Sequence, residues 1–167
     1  MAAEINLRER ILADRYGRDA PKCFNCGMCV GGCPVAYVEN YNPVTNLYDA
    51  CYNNWINPNV WWCATCYTCQ DRCPHDVHMV EIIFLLQRLY VEIHGIPDFI
   101  RPLVHLVEET GYMAKITASL NQRRARLGLP SLSLDIGHEV GKMLLACNGD
   151  LAGASRSSQE TPGETSR

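Results

Sequence analysis

Cys23-Phe24-Asn25-Cys26-Gly27-Met28-Cys29-Val30-Gly31-Gly32-Cys33-Pro34 returns further along the chain as Cys63-Ala64-Thr65-Cys66-Tyr67-Thr68-Cys69-Gln70-Asp71-Arg72-Cys73-Pro74. Both runs read Cys-x2-Cys-x2-Cys-x3-Cys-Pro, so one repeat accounts for eight of the ten cysteines. Two-residue spacers let a single tight loop offer three thiolates to three irons of a cubane. The fourth cysteine of such a run, the one before proline, ligates the other cluster when two are present. The spacing therefore predicts two [4Fe-4S] clusters, one on Cys23, Cys26, Cys29 and Cys73, the other on Cys63, Cys66, Cys69 and Cys33. Crossed ligation of this kind ties the two halves together and holds the clusters close enough for electrons to hop between them. Two alternatives stay open. Eight cysteines could make two four-thiolate zinc sites, although zinc modules usually pair two Cys-x-x-Cys knuckles rather than repeat a run ending in Cys-Pro. Clusters could also be purely structural.

The rest of the composition narrows the class. The chain has 167 residues, enough for one domain with a real core, and a formal net charge of −3 from 15 Lys and Arg against 18 Asp and Glu. A nucleic-acid partner usually calls for a basic excess, so none is expected. Met1 to Arg10 carries charges every few residues and no apolar signal-peptide core. A cytoplasmic location is therefore expected, where clustered cysteines bind metal or do redox chemistry rather than form disulfides. No stretch is long and apolar enough to insert in a membrane; the nearest, Ile82 to Leu86, is bounded by Glu81 and by Gln87-Arg88.

Around the cysteine runs the pattern is helical, and the expected fold is mostly α: a two-cluster domain with additional C-terminal helices. Glu4 to Tyr16 reads as a helix with Gly17 as its stop. Asn42-Pro43 reads as an N-cap followed by a first-turn proline, leading a helix whose apolar face is Val44, Leu47, Tyr48, Cys51 and Trp55. Asn57-Pro58-Asn59 reads as a turn. Asp76 to His94 is apolar nearly all round, a pattern that demands burial in its own fold or against a partner subunit. Pro97 and Pro102 bracket the start of a helix running to Thr110; Tyr112–Leu127 and Asp135–Cys147 are expected to be two more. The expected divisions are an N-terminal helix over 1–20, the two-cluster domain over 21–95, a helical extension over 96–147 and a disordered tail over 148–167.

Lesser signals are mostly structural. Cys51 and Cys147 read as small core residues. Trp61, Trp62, Phe24 and Tyr67 flank the cysteines as packing residues that would also keep water away. His75 and His78 read as surface or capping groups, with proton transfer the weaker option. Lys115, Arg123, Arg124 and Arg126 form a basic patch suited to a helix C-terminus. The two runs differ in polarity, with Gly27, Gly31 and Gly32 in the first and Gln70, Asp71 and Arg72 in the second. Charge and hydrogen bonding near cluster sulfurs move potentials, so two unequal midpoints are expected.

The stretch from Pro34 to Trp62 that separates the runs is longer than a compact bacterial ferredoxin would use, and it reads as helical. In this the chain resembles the α-helical ferredoxin domain. Cys26-Gly-Met-Cys29-Val-Gly-Gly-Cys33-Pro34, Trp62-Cys63 opening the second run, and Asn121-Gln-Arg-Arg-Ala-Arg-Leu-Gly-Leu129 extend the likeness. Over roughly residues 15–145 the chain is similar to the C-type subunits of soluble heterodisulfide reductases. The resemblance implies an electron-transfer subunit with no catalytic residue of its own, in a larger hetero-oligomer of methanogenesis. It would pass electrons from a flavin-containing A-type subunit to a B-type subunit, whose CCG-motif clusters reduce the heterodisulfide of coenzyme M and coenzyme B. The chain holds no Cys-Cys-Gly and no dinucleotide-binding glycine pattern, so catalysis and flavin fall to those partners. A sulfur-oxidising or quinone-linked complex could reuse the same relay. The iron–sulfur subunit of a succinate- or glycolate-oxidising dehydrogenase is the remaining kin; the succinate type normally adds a plant-type [2Fe-2S] domain.

Overall fold

The computed structural model describes residues 6–133 and 136–148. The chain divides into two compact units, Met1–Ile93 and His94–Arg167. Every regular element among the described residues is a helix, and none is a strand. The mostly α expectation holds.

The first unit contains α1 (Leu7–Ala13), α2 (Met28–Gly31), α3 (Pro43–Tyr52), α4 (Thr68–Asp71) and α5 (Met79–His94). The most apolar of these, α5, organises the rest. It buries Met79, Val80, Ile82, Ile83, Leu85, Leu86 and Leu89. That is wider than one helical stripe, so the helix needs cover on several sides. Its own fold supplies that cover. Leu7 and Ile11 of α1, Val44, Leu47 and Ala50 of α3, and Ile56 and Val60 beyond it share a single core with α5. Phe84 and Ile93 are left outside that core, 37% and 36% exposed. Polar contacts pin the layers: Leu7 N–H donates to Asn54 Oδ1 at 2.8 Å, Gln87 Nε2 to the Val60 carbonyl at 2.9 Å, and Arg88 to Asp14 at 3.1 Å.

Several boundaries differ from the sequence expectation, each for a local reason. Helix α1 is shorter than Glu4–Tyr16: Asn6 caps it by accepting the Glu9 N–H, and Asp14 leaves it in an extended conformation. Glu4 itself lies outside the described residues. Gly17 is not a helix stop. It opens a 3-10 helix, Gly17–Lys22, and is buried so close to Ile11 that any Cβ would collide with the Ile11 carbonyl. Asn42 caps α3 as expected, accepting from Val44 and Thr45 N–H. Trp55, however, falls beyond the helix, which ends at Tyr52, and is 47% exposed. Asn57-Pro58-Asn59 is more than a turn: Asn57 caps a 3-10 helix over Pro58–Trp62. Helix α5 starts at Met79 rather than Asp76, because Asp76 sits at a left-handed φ of 50° that no α-helix accommodates.

The second unit contains α6 (Arg101–Thr110), α7 (Ala118–Arg126) and α8 (Gly137–Asn148). Helix α6 ends on a left-handed Gly111 and packs on α8. Helix α7 begins only at Ala118, with the Thr117 hydroxyl as its cap, so Tyr112–Ile116 are not helical as expected. The Asn121 side chain accepts the Leu132 N–H at 2.9 Å and donates to its carbonyl at 3.2 Å. Arg124 donates to the Pro130 carbonyl at 2.9 Å. The Asn121–Leu129 stretch thus fastens its own following loop. Asp135 and the expected tail, from 149 onward, lie outside the described residues.

Leu86 is fully buried at the centre of the first unit's core. Leu86→Ala is expected to lower the unfolding free energy by about 3 kcal/mol through lost transfer energy and the cavity left behind. Anaerobic denaturant titration of the two proteins measures it.

Candidate metal centre

Each cysteine run folds the same way. A 3-10 helix delivers the first cysteine as its C-cap residue, Cys23 after Gly17–Lys22 and Cys63 after Pro58–Trp62. The backbone then turns twice through left-handed geometry, at Asn25 (62°) and Gly27 (76°) in the first run and at Thr65 (55°) and Tyr67 (60°) in the second. Helices α2 and α4 follow. Equivalent bonds close them: Val30 N–H to Gly27 O and Gln70 N–H to Tyr67 O, then Cys33 N–H to Val30 O and Cys73 N–H to Gln70 O, all between 2.9 and 3.1 Å. The sequence repeat is therefore a conformational repeat.

Glycine suits the left-handed position at residue 27. Tyr67, and above all the β-branched Thr65, adopt theirs at a cost of about 1–2 kcal/mol each. Strain of this kind persists where the surrounding structure enforces it. Alternating left- and right-handed residues turn successive N–H groups to one side, forming the concave anion cradle found at phosphate and Fe–S sites.

The cysteines gather around two cavities. One is lined by Cys23, Cys26, Cys29 and Cys73, with Phe24, Met28, Val44, Val77 and Met79 among its walls. The other is lined by Cys33, Cys63, Cys66 and Cys69, with Tyr41, Pro43, Val80 and Ile83. Cys69, on α4, also borders the first cavity and is the wall they share. The last cysteine of each run lines the cavity opposite the one its own loop surrounds. Core residues of α3 and α5 form the floors, while Cys26 and Cys66 are exposed at the rims.

The donor chemistry fits iron–sulfur clusters. Burial, then the neighbouring Cys23, pushes the Cys29 thiol up to about 11; burial, then Cys63, pushes Cys69 up to about 12. Thiolates gathered on an apolar wall repel one another until a cationic core replaces their protons. Among the described residues no three His, Cys, Asp or Glu side chains converge to hold a single metal ion. Each set instead surrounds a space, which suits a cubane better than a zinc ion with bonds near 2.3 Å.

Neighbouring groups fasten the cavities. Val77 N–H donates to Cys73 Sγ at 3.3 Å. His78 Nδ1 lies 2.7 Å from Asp19 Oδ2, and Lys22 Nζ lies 2.6 Å from Asp19 Oδ1, joining the segment before the first run to the segment after the second. His75 meets Phe24 edge to face at 4.1 Å. Thr68, through its hydroxyl first and its N–H second, lowers the Cys66 thiol below its ordinary value.

Trp61 packs against the core. Phe24, Trp62 and Tyr67 are 60%, 46% and 39% exposed, so water exclusion falls more to Tyr41, Val44, Val77, Met79 and Ile83. Cys51 packs half-buried beside the core and lines neither four-cysteine cavity; the Cys147 side chain lies outside the described residues. Arg123, Arg124 and Arg126 occupy the last turn of α7, where they complement its dipole. Sequence reasoning missed Tyr41, Thr68 and Asp19. Only their nearness to the runs or to the Asn42 cap hinted at them.

A fold without strands among the described residues and two four-cysteine cavities sharing one wall define a helical dicluster [4Fe-4S] protein of ferredoxin type. The family model for a 4Fe-4S dicluster domain matches residues 15–74. The chain is 32% identical over 120 residues to the C-type subunit of the ferredoxin:CoB-CoM heterodisulfide reductase of Methanosarcina mazei, covering 68% of this chain and 72% of that protein. It is 33% identical over 117 residues to the C-type subunit of the ferredoxin/F420H2-dependent CoB-CoM heterodisulfide reductase of Methanosarcina acetivorans, with the same coverage. It is 28% identical over 136 residues to an iron-sulfur C-type subunit of the CoB-CoM heterodisulfide reductase of Methanocaldococcus jannaschii, covering 77% and 71%. The chain belongs to the family of heterodisulfide reductase C-type subunits. It carries two [4Fe-4S] clusters and transfers electrons, and among the described residues no helix is long and apolar enough to cross a membrane.

Lys22 first and His78 second hold the Asp19 carboxyl below its ordinary 3.8. Its stabilisation is therefore complete above pH 3.8 and is lost as pH falls through the lower folded value. Asp19→Asn is expected to reduce the anaerobic thermal midpoint throughout pH 6–8. Most of that difference persists at pH 8, because Lys22 stays charged there.

Proposed function

We propose that this chain is the relay subunit of a cytoplasmic heterodisulfide reductase complex. It takes electrons from a flavin-containing A-type subunit and delivers them to a CCG-motif B-type subunit that reduces the coenzyme M–coenzyme B heterodisulfide. The observation carrying this reading is the pair of cysteine-lined cavities with Cys69 bordering both. In this reading Cys23, Cys26, Cys29 and Cys73 hold one cluster, and Cys63, Cys66, Cys69 and Cys33 hold the other. Each bound [4Fe-4S] cluster supplies a one-electron couple. The disulfide takes two electrons and two protons to give two thiols, so the relay turns over twice for each bond cleaved.

The chain's own residues serve that relay by position. Left-handed turns present backbone N–H groups to the sulfurs, and α5 closes the floors with apolar side chains. Cys26 and Cys66 bring one edge of each site to the surface, where a partner's redox group can approach. The sequence holds no Cys-Cys-Gly, so the disulfide chemistry belongs to another subunit.

Anaerobically purified protein is expected to contain about eight iron atoms and to bleach with dithionite. Purification from the native source is expected to bring down a flavoprotein and a CCG-motif protein, with CoM–CoB disulfide reductase activity in the complex. Copurification with sulfur-oxidising or quinone-linked partners instead would displace the substrate assignment while keeping the relay. Cys33→Ser is expected to perturb the cluster at Cys63, Cys66 and Cys69 and to leave the one at Cys23, Cys26 and Cys29 largely intact by EPR. The reverse pattern would refute the crossed ligation.

A further inference from the structure

The cavity formed by Cys33, Cys63, Cys66 and Cys69 contains a polar group that takes no part in thiolate ligation or in any ion pair. Tyr41 is 4% exposed and lines that cavity. Its hydroxyl is shielded from solvent and has no hydrogen-bond partner within the described protein. A buried hydroxyl with no partner is costly, and native structures almost always satisfy one. The position is not loose: Tyr41 N–H donates to the Glu39 carbonyl at 2.8 Å, and the next residue, Asn42, caps α3 through bonds of 3.0 and 3.1 Å. Of the described residues lining this cavity, Tyr41 is the one with a buried side-chain polar atom that lacks a partner, so the sulfurs sharing its wall are the acceptors left to it.

No described residue lining the first cavity has a buried polar side-chain atom without a partner. The walls of the first cavity are Phe24, Met28, Val44, Val77 and Met79, with His75 as the polar side chain, and His75 is engaged edge-on with Phe24. The two cavities therefore differ in hydroxyl donors far more than in cysteines.

We propose that Tyr41 is a potential-setting residue: its hydroxyl donates to a sulfur of the second cavity and makes that cavity's cluster the higher-potential member of the pair. This rests on the crossed assignment proposed above. One-electron reduction adds negative charge that is shared by the sulfurs, and a donor binds the more negative sulfur more strongly. The reduced state gains more than the oxidised state, so the midpoint rises. The electron in a singly reduced protein then resides at the Cys63 end of the relay.

Potentiometric titration of the anaerobic full chain, followed by EPR, resolves two one-electron midpoints. Tyr41→Phe is expected to move the higher midpoint to more negative potential and leave the lower one in place. Site-specific 3-fluorotyrosine at position 41 keeps the ring and strengthens the donor, so it raises that midpoint; it decides the matter if Tyr41→Phe does not load its clusters. Unmoved midpoints in a fully loaded Tyr41 variant overturn the inference, as does movement of the lower midpoint. Those results leave the relay reading standing. A wild-type chain that is colourless and holds zinc removes both.

Discussion

Four thiols gathered against an apolar wall are an unstable arrangement by themselves, and the first unit is built around two such gatherings. Burial drives Cys29 and Cys69 to hold their protons, to about 11 and 12 respectively, while deprotonated neighbours would repel one another. Iron resolves the conflict by taking the place of the protons, so cluster assembly and folding are parts of one equilibrium. The remaining features of the unit follow from having to present sulfur in this way. Two 3-10 helices aim the first cysteines, strained left-handed residues curl the loops, and α5 supplies a floor that excludes water.

The two halves are equal in backbone and unequal in surroundings. Cys23 corresponds to Cys63, Gly27 to Tyr67 and Cys33 to Cys73, with the same turns and closing bonds. Outside the cysteines the correspondence ends. Arg72 lies against its own counterpart, Gly32, where α2 meets α4. Met28 offers a thioether where Thr68 carries a hydroxyl. A repeat of this kind can hold two similar cofactors while giving each a different electrostatic setting. That is a property a directional relay needs and a structural staple does not.

Much of this was legible in the sequence because it depends on local spacing. The cysteine intervals already implied the two sets of four that line the two cavities. Asn42-Pro43 announced the start of α3 because capping is a one-turn interaction, and the apolar breadth of Asp76–His94 announced a buried helix. What escaped was decided by tertiary contact. Gly17 looks like any helix terminator until Ile11 is seen pressing on it. Nothing in Thr65 or Tyr67 announces a left-handed φ, since propensity favours Gly or Asn there and the loop overrides it. The start of α5 was misplaced because Asp76 gives no sign that it must turn left-handed. Tyr41 was missed because an isolated tyrosine before a helix cap reads as packing, and its role depends on residues from Cys33 to Cys69 converging on it in space.

The same geometry suits this chain to conduction. Electron transfer between fixed sites falls steeply with distance and with the rearrangement each change of charge provokes. The common wall at Cys69 addresses the first, because a single cysteine borders both cavities. The second is addressed by a floor of Val44, Val77, Val80 and Ile83 and by the Val77 N–H already committed to the Cys73 sulfur. These groups leave little solvent or side chain free to reorganise. Tyr41 lies buried in the wall of one cavity, and His78 is held by Asp19. The architecture favours holding an electron briefly and passing it on unchanged.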